Sequence, residues 1–158
     1  MSNVKTNVMR ILDQKNIEYY ISTYDNKDGK IDGVSVAAKI GKNPECVFKT
    51  LVCQGHSREI YVFVIPVQAE LDLKKAARVS NEKSIDMIAV KDIQKHTGYI
   101  RGGCSPIGMK KEYAIFIHSS ALALDKIIVS GGKIGFQVEI SPLALAELVN
   151  ASMEDIIK

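Results

Sequence analysis

Apolar positions recur with a helical period at the start of the chain and with strand-like density through its middle. Val4, Val8, Ile11 and Leu12 fall on one helical face, which predicts an amphipathic opening helix stopped at Asn16. Ile17 to Tyr24, rich in β-branched and aromatic residues, predicts a strand. The polar stretch Asp25 to Gly33 reads as a loop, and Ser35 to Ile40 as a short helix ended by Gly41. Asn43-Pro44 is a helix-start signal. Phe48 to Cys53 and Glu59 to Val67 predict a hairpin across the polar turn Gln54 to Arg58. Asp72 is placed to cap a helix through Arg78, with Leu73, Ala76 and Ala77 on its buried face. A short strand over Ser84 to Ala89 and a short helix over Lys91 to His96 follow. Tyr113 to His118, Lys126 to Ser130 and Gly135 to Ile140 predict three more strands. Ser141-Pro142 starts a closing helix that offers Leu143, Leu145, Leu148 and Val149 for packing, and Ser152 is a candidate cap for a last helical turn. Strands outnumber helices and several are hairpin-linked. The expected class is α+β, a curved, mixed, barrel-like sheet surrounded by helices.

Length and composition narrow this picture. The chain has 158 residues and no linker-like or low-complexity segment, so one domain over 1–158 is expected. A net charge of +3, with lysines and arginines dispersed, permits an acidic partner without demanding one. Cys46, Cys53 and Cys104 form neither a disulfide framework nor a Cys-x-x-Cys metal pair. Free thiols, an N-terminus without an apolar signal core and the lack of any membrane-length apolar run point to the cytoplasm, with no membrane contact.

Three segments carry candidate chemistry. Lys49 interrupts the apolar run Val47-Phe48-Lys49-Thr50-Leu51-Val52, so its ammonium either lines a cleft or reaches water along its stem. Gly98 to Gly108 contains four glycines and one proline. Its amides can converge on an anion or oxyanion, or the glycines simply serve a sharp connection. Within it, Ser105 either binds substrate or caps the turn. Ser130-Gly131-Gly132-Lys133 lacks the full phosphate-loop spacing and reads in isolation as a hairpin turn. Cys104 is a possible thiol nucleophile, but no histidine is placed by the sequence to activate it. His56, His96 and His118 show no ligand spacing.

Taken in order, Val47 to Leu51, Leu71 to Lys75, Thr97-Gly98-Tyr99 with Gly102 to Gly108, and Val129 to Lys133 with Gly135 resemble the YbaK/EbsC-type aminoacyl-tRNA deacylases over nearly the whole chain. That family is related to the editing domain of bacterial prolyl-tRNA synthetase. The resemblance implies a free-standing enzyme that hydrolyses the ester of a mischarged tRNA, most closely cysteine on proline tRNA, beside prolyl-tRNA synthetase and without a cofactor. It implies Lys49, Gly102 and Gly103 as catalytic, and Tyr24, Ser105, Ser130 and Gly131 as substrate-binding. Two positions depart from the family pattern: Ile134 stands where an arginine is common, and Gln137 where a carboxylate is. The competing readings are a nucleotide- or acidic-ligand-binding module without turnover and a thiol enzyme using Cys104.

Overall fold

A computed structural model describes residues 5–158. Val4, assigned above to the opening helix, lies outside them. The first helix, α1 (Asn7–Gln14), begins where the Thr6 hydroxyl accepts from the Met9 amide, and it buries Val8, Met9 and Leu12. β1 (Tyr19–Thr23) and α2 (Gly33–Lys39, capped by Asp32) follow. The Asn43-Pro44 signal starts only a 3-10 turn, Pro44–Cys46. β2 (Phe48–Gly55) and β3 (Ile60–Pro66) form the expected antiparallel hairpin, in register from Phe48 opposite Pro66 to Gln54 opposite Ile60. Asp72 accepts from the amides of Lys74 and Lys75 and so fixes the start of α3 (Leu73–Ser80). β4 (Ile85–Met87), α4 (Ile93–Thr97) and β5 (Ala114–His118) come next. Then β6 (Ile127–Ser130) and β7 (Phe136–Ile140) make a second hairpin, followed by α5 (Pro142–Val149) and β8 (Ser152–Glu154).

The fold is mixed α+β, as the sequence implies, but the sheet is not closed. The strands divide into a three-stranded sheet, β1-β7-β6, and a five-stranded one, β4-β2-β3-β5-β8. Among the described residues, one parallel bridge, Val47 to Ile128, joins them. The strand order leaves β1, β4 and β8 without a strand partner on their outer edges among the described residues, so the arrangement curves like a barrel without completing one.

The main core lies between the two sheets. Phe48, Val62, Val64, Ile115 and Ile117 of the larger sheet face Ile127, Val129, Val138 and Ile140 of the smaller, and α1 and α5 close the ends. Phe63, Ile65 and Cys53 point the other way, onto Ala76 and Ala77 of α3. The larger sheet is therefore buried on both faces, which explains why β3 reads as an unbroken apolar run rather than an alternating one.

Three packing expectations are corrected. Leu73 is exposed, because it sits in the first turn of α3, beyond the core that Ala76 and Ala77 reach. Leu143 is also exposed, at the start of α5, and Leu145 takes the fully buried place. Ser152 caps no helix; it begins β8, which adds in parallel to β5 from Phe116 to His118. Beyond the end of that ladder at Glu154, Ile156 is fully buried, and its amide donates to Nδ1 of buried His118.

Candidate functional site

β4 pairs only with Cys53 to Gly55, so the first half of β2 has a free edge apart from one bond from the Ile88 amide to the Val52 carbonyl. A cleft of about 340 Å³ opens against this edge. It is walled by Ile31 to Val34 and Val36, by Val47 to Leu51, by Val67, by Arg101, Gly102 and Cys104, and by Ser130 and Gln137. Three segments that are distant in sequence thus meet at one place: the Lys49 strand, the glycine loop and the β6–β7 hairpin.

Alternation along β2 sends Lys49 to the face shared with Ile65, its cross-strand partner, and Thr50 to the inter-sheet face opposite Val64. Because the edge is open, both line the cleft. Lys49 is half-buried and forms no ion pair among the described residues. Burial pushes its ammonium below the ordinary lysine pKa, and the negative charge of Glu70 acts in the opposite direction. The Thr50 hydroxyl is buried without a hydrogen-bond partner. Gln137 is nearly buried and also faces the cleft.

The glycine loop is held at both ends. The Thr97 hydroxyl donates to the Ile93 carbonyl at 2.8 Å and accepts from the Tyr99 amide at 3.1 Å. The Tyr99 hydroxyl donates to the Ile107 carbonyl. Gly102 has φ +87°, and a Cβ there would lie 2.6 Å from Ile31 Cδ1 and 3.4 Å from Ile134 Cγ1. Only glycine fits both the backbone angle and the space. Gly103 does not line the cleft. It is buried against Lys133 and Ile134, and its amide donates to the Ile100 carbonyl at 3.0 Å. The amides of Gly102 and Cys104 carry no acceptor among the described residues, and both residues line the cleft. The sequence pointed to the Gly-Gly pair; which amides the turn leaves free depends on the Gly103–Ile100 bond, which has no sequence signature.

The remaining expected site residues separate. Ser130 lines the cleft, and its hydroxyl accepts from the Gly132 amide at 3.2 Å. Gly131 is buried behind it and donates to the Phe136 carbonyl at 2.8 Å. Ser105 is fully buried; its hydroxyl accepts from the Ile107 amide, so it locks the loop rather than facing the cleft. Tyr24 also lies outside the cleft wall. Its amide donates to Gly135, its hydroxyl is buried without a partner, and Lys39 Nζ stands 5.7 Å above its ring. Cys104 reaches the cleft as a protonated thiol, since burial pushes its pKa up to about 11 against a smaller opposing effect of Thr97. No histidine lines the cleft, and the described residues contain no group of three His, Cys, Asp or Glu that could hold a metal.

A larger cavity, about 710 Å³, lies on the other side of the loop between Ile107, Tyr113, Phe116 and Leu148. Its charged lining residues, Lys111 and Glu112, are both exposed, and no unpartnered buried polar atom faces it among the described residues. The chemistry-bearing groups converge on the smaller cleft.

Residues 32–148, which contain nearly all of that cleft, match the family model of the aminoacyl-tRNA editing domain. The chain belongs to the aminoacyl-tRNA editing domain family. The deacylase class expected from the ordered motifs is the class this family represents. The chain is 41% identical over 152 residues, 96% of its own length and 93% of the relative's, to a protein of Enterococcus faecalis whose assigned name is Cys-tRNA(Pro)/Cys-tRNA(Cys) deacylase EbsC. Two solved structures share its fold. A hypothetical protein superposes with a TM-score of 0.88 at 19% identity, over 97% of this chain and all of the other. A protein assigned as a trans-editing enzyme for prolyl-tRNA synthetase superposes with a TM-score of 0.81 at 18% identity, over 98% and 99% of the two chains.

Proposed function

We propose that this editing domain acts in trans on tRNA carrying the wrong amino acid, and that its principal substrate is cysteine esterified to proline tRNA. The observation that carries the reading is Lys49: a half-buried ammonium with no ion-pair partner among the described residues, in a cleft shared with loop amides that carry no acceptor among those residues. Burying an unpaired cation is costly, and an anionic ligand offsets that cost. The name of the 41% identical relative supports the choice of cysteine and proline tRNA.

In this reading Lys49 pairs with the phosphate of the terminal nucleotide or with the negative charge that develops on the ester carbonyl. The amides of Gly102 and Cys104 receive that carbonyl oxygen, and Gly103, Ser105 and Gly131 hold the loops that present them. Ser130 and Gln137 contact the substrate, and Tyr24 supports the hairpin from behind. The cleft holds no histidine, and the Ser35 hydrogen bonds hold its one carboxylate, Asp32, below the ordinary carboxylate pKa, which makes it a weak base. A general base for water is therefore lacking, and the cysteine substrate supplies its own nucleophile. Its sulfur bonds to the ester carbonyl carbon, the bond from that carbon to the ribose oxygen breaks, and the thiol proton passes through solvent to the departing hydroxyl. The products are free tRNA and a cyclic thiolactone, with no cofactor needed. Prolyl-tRNA synthetase, holding the tRNA, is the partner this reading requires, and the cytoplasm is the compartment where both occur.

The test is deacylation of one proline tRNA charged in turn with cysteine, serine and alanine. Cysteine is expected to be cleared much faster than serine, with thiolactone detected. Equal rates for all three without thiolactone would contradict the substrate-assisted step and leave a steric selection by the Gly102 wall.

A further inference from the structure

The cleft is charged unevenly. Among the residues that line it, Lys49 and Arg101 are the only cations and Asp32 is the only acid. An aminoacyl ester of RNA has the matching pattern: a phosphodiester at one end, and a free α-ammonium next to the carbonyl. Lys49 and Arg101 answer the first feature. Among the described lining residues, only Asp32 carries a charge that answers the second; the polar side chains of Thr50, Ser130 and Gln137 in the same wall are neutral.

Asp32 is built to keep its charge and its position. One carboxylate oxygen accepts from the Ser35 hydroxyl at 2.7 Å and the other from the Ser35 amide at 3.1 Å. These bonds hold its carboxyl below the ordinary carboxylate pKa and fix its rotamer. A carboxylate offers about four acceptor sites, so roughly two remain for a donor in the cleft. Asp32 is exposed, lines the cleft and has no ion-pair partner among the described residues.

We propose that Asp32 receives the substrate's α-ammonium, so that the site takes aminoacyl esters with a free amino group and discriminates against N-blocked ones, such as the esters that carry a peptide. The inference rests on the deacylase reading above. It makes Asp32 a substrate-binding residue.

The experiment crosses a substrate change with a residue change. Wild type, Asp32→Asn and Asp32→Ser are compared on Cys-tRNA and N-acetyl-Cys-tRNA of the same proline tRNA. Asn and Ser both remain good helix caps, so α2 is retained while the charge is removed. Acetylation also alters the intrinsic lability of the ester, so each variant is compared with wild type on the same substrate. Both variants are expected to lose about tenfold or more in kcat/KM on the free-amine ester, mainly through KM, and less than about twofold on the acetylated one. Equal losses on both substrates, or none on either, with the wild type active, would overturn the role of Asp32 alone. A wild type that deacylates neither substrate would overturn the deacylase reading and this inference with it.

Discussion

Lys49 shows how far a single residue can be read from sequence. A charge inside Val47 to Val52 had two explanations, a cleft or a stem lying along the sheet, and both are consistent with strand periodicity. The deciding fact is non-local: β4 stops pairing at Cys53 and leaves the edge beside Lys49 open. Ser105 was equally ambiguous and resolves the other way, because its buried hydroxyl is taken by Ile107. Asp32 read only as part of a polar loop, since its place in the cleft depends on how that loop folds back over β2. Burial lowers the pKa of Lys49 and Glu70 raises it, and this gives a signed prediction for activity. If the charged ammonium is needed, kcat/KM falls as pH rises through the Lys49 pKa, below the ordinary lysine range. Glu70→Gln removes the charge that favours the ammonium, so its alkaline limb should move to lower pH. Rates corrected for spontaneous ester hydrolysis across the alkaline range test this, and superimposable profiles would contradict it.

Elements with strong local signals were legible and those made by long-range pairing were not. The β2–β3 and β6–β7 hairpins carry apolar runs around polar turns, and α1 and α3 carry side-chain caps. β8 has three residues, too few for a period, and exists because β5 offers a parallel edge. The glycine loop was legible as a loop with unusual backbone angles, but its wall was not, because Ile31 and Ile134 come from two other segments. Ile134 makes this side of Gly102 apolar. Gly102→Ala should therefore damage activity. A left-handed angle costs a non-glycine residue roughly 1–2 kcal/mol, and the added methyl collides with Ile31. The expected result is a fall in Tm and a loss of kcat/KM of about tenfold or more, since a small misplacement of oxyanion donors is heavily penalised. A variant with wild-type kcat/KM would show that the loop amides do not act on the ester.

At the scale of the molecule, the α+β class followed from the ratio and linkage of strands, whereas barrel closure did not, because closure depends on which edges meet. Among the described residues, the two sheets meet at the Val47–Ile128 bridge. The resulting cleft carries two cations, Lys49 and Arg101, on a chain of net charge +3. Each contact to a single-stranded phosphate contributes about 0.7 to the salt slope, so tRNA binding by the isolated protein should be weak, with a slope of roughly −1 to −2. On the proposed reading, selectivity for one tRNA comes from a synthetase that holds it; tight, tRNA-specific binding by the isolated protein at physiological salt would contradict this. The central claim is that this cleft turns over mischarged tRNA through Lys49, and multiple-turnover deacylation of Cys-tRNA(Pro) by wild type and Lys49→Met measures it most directly. Wild type should clear many equivalents of substrate. The variant should lose about a hundredfold or more in rate. Because burial disfavours the lysine charge, the variant should melt no lower than wild type. Substrate bound without turnover by the wild type, or a folded Lys49→Met protein that turns over normally, would contradict the account.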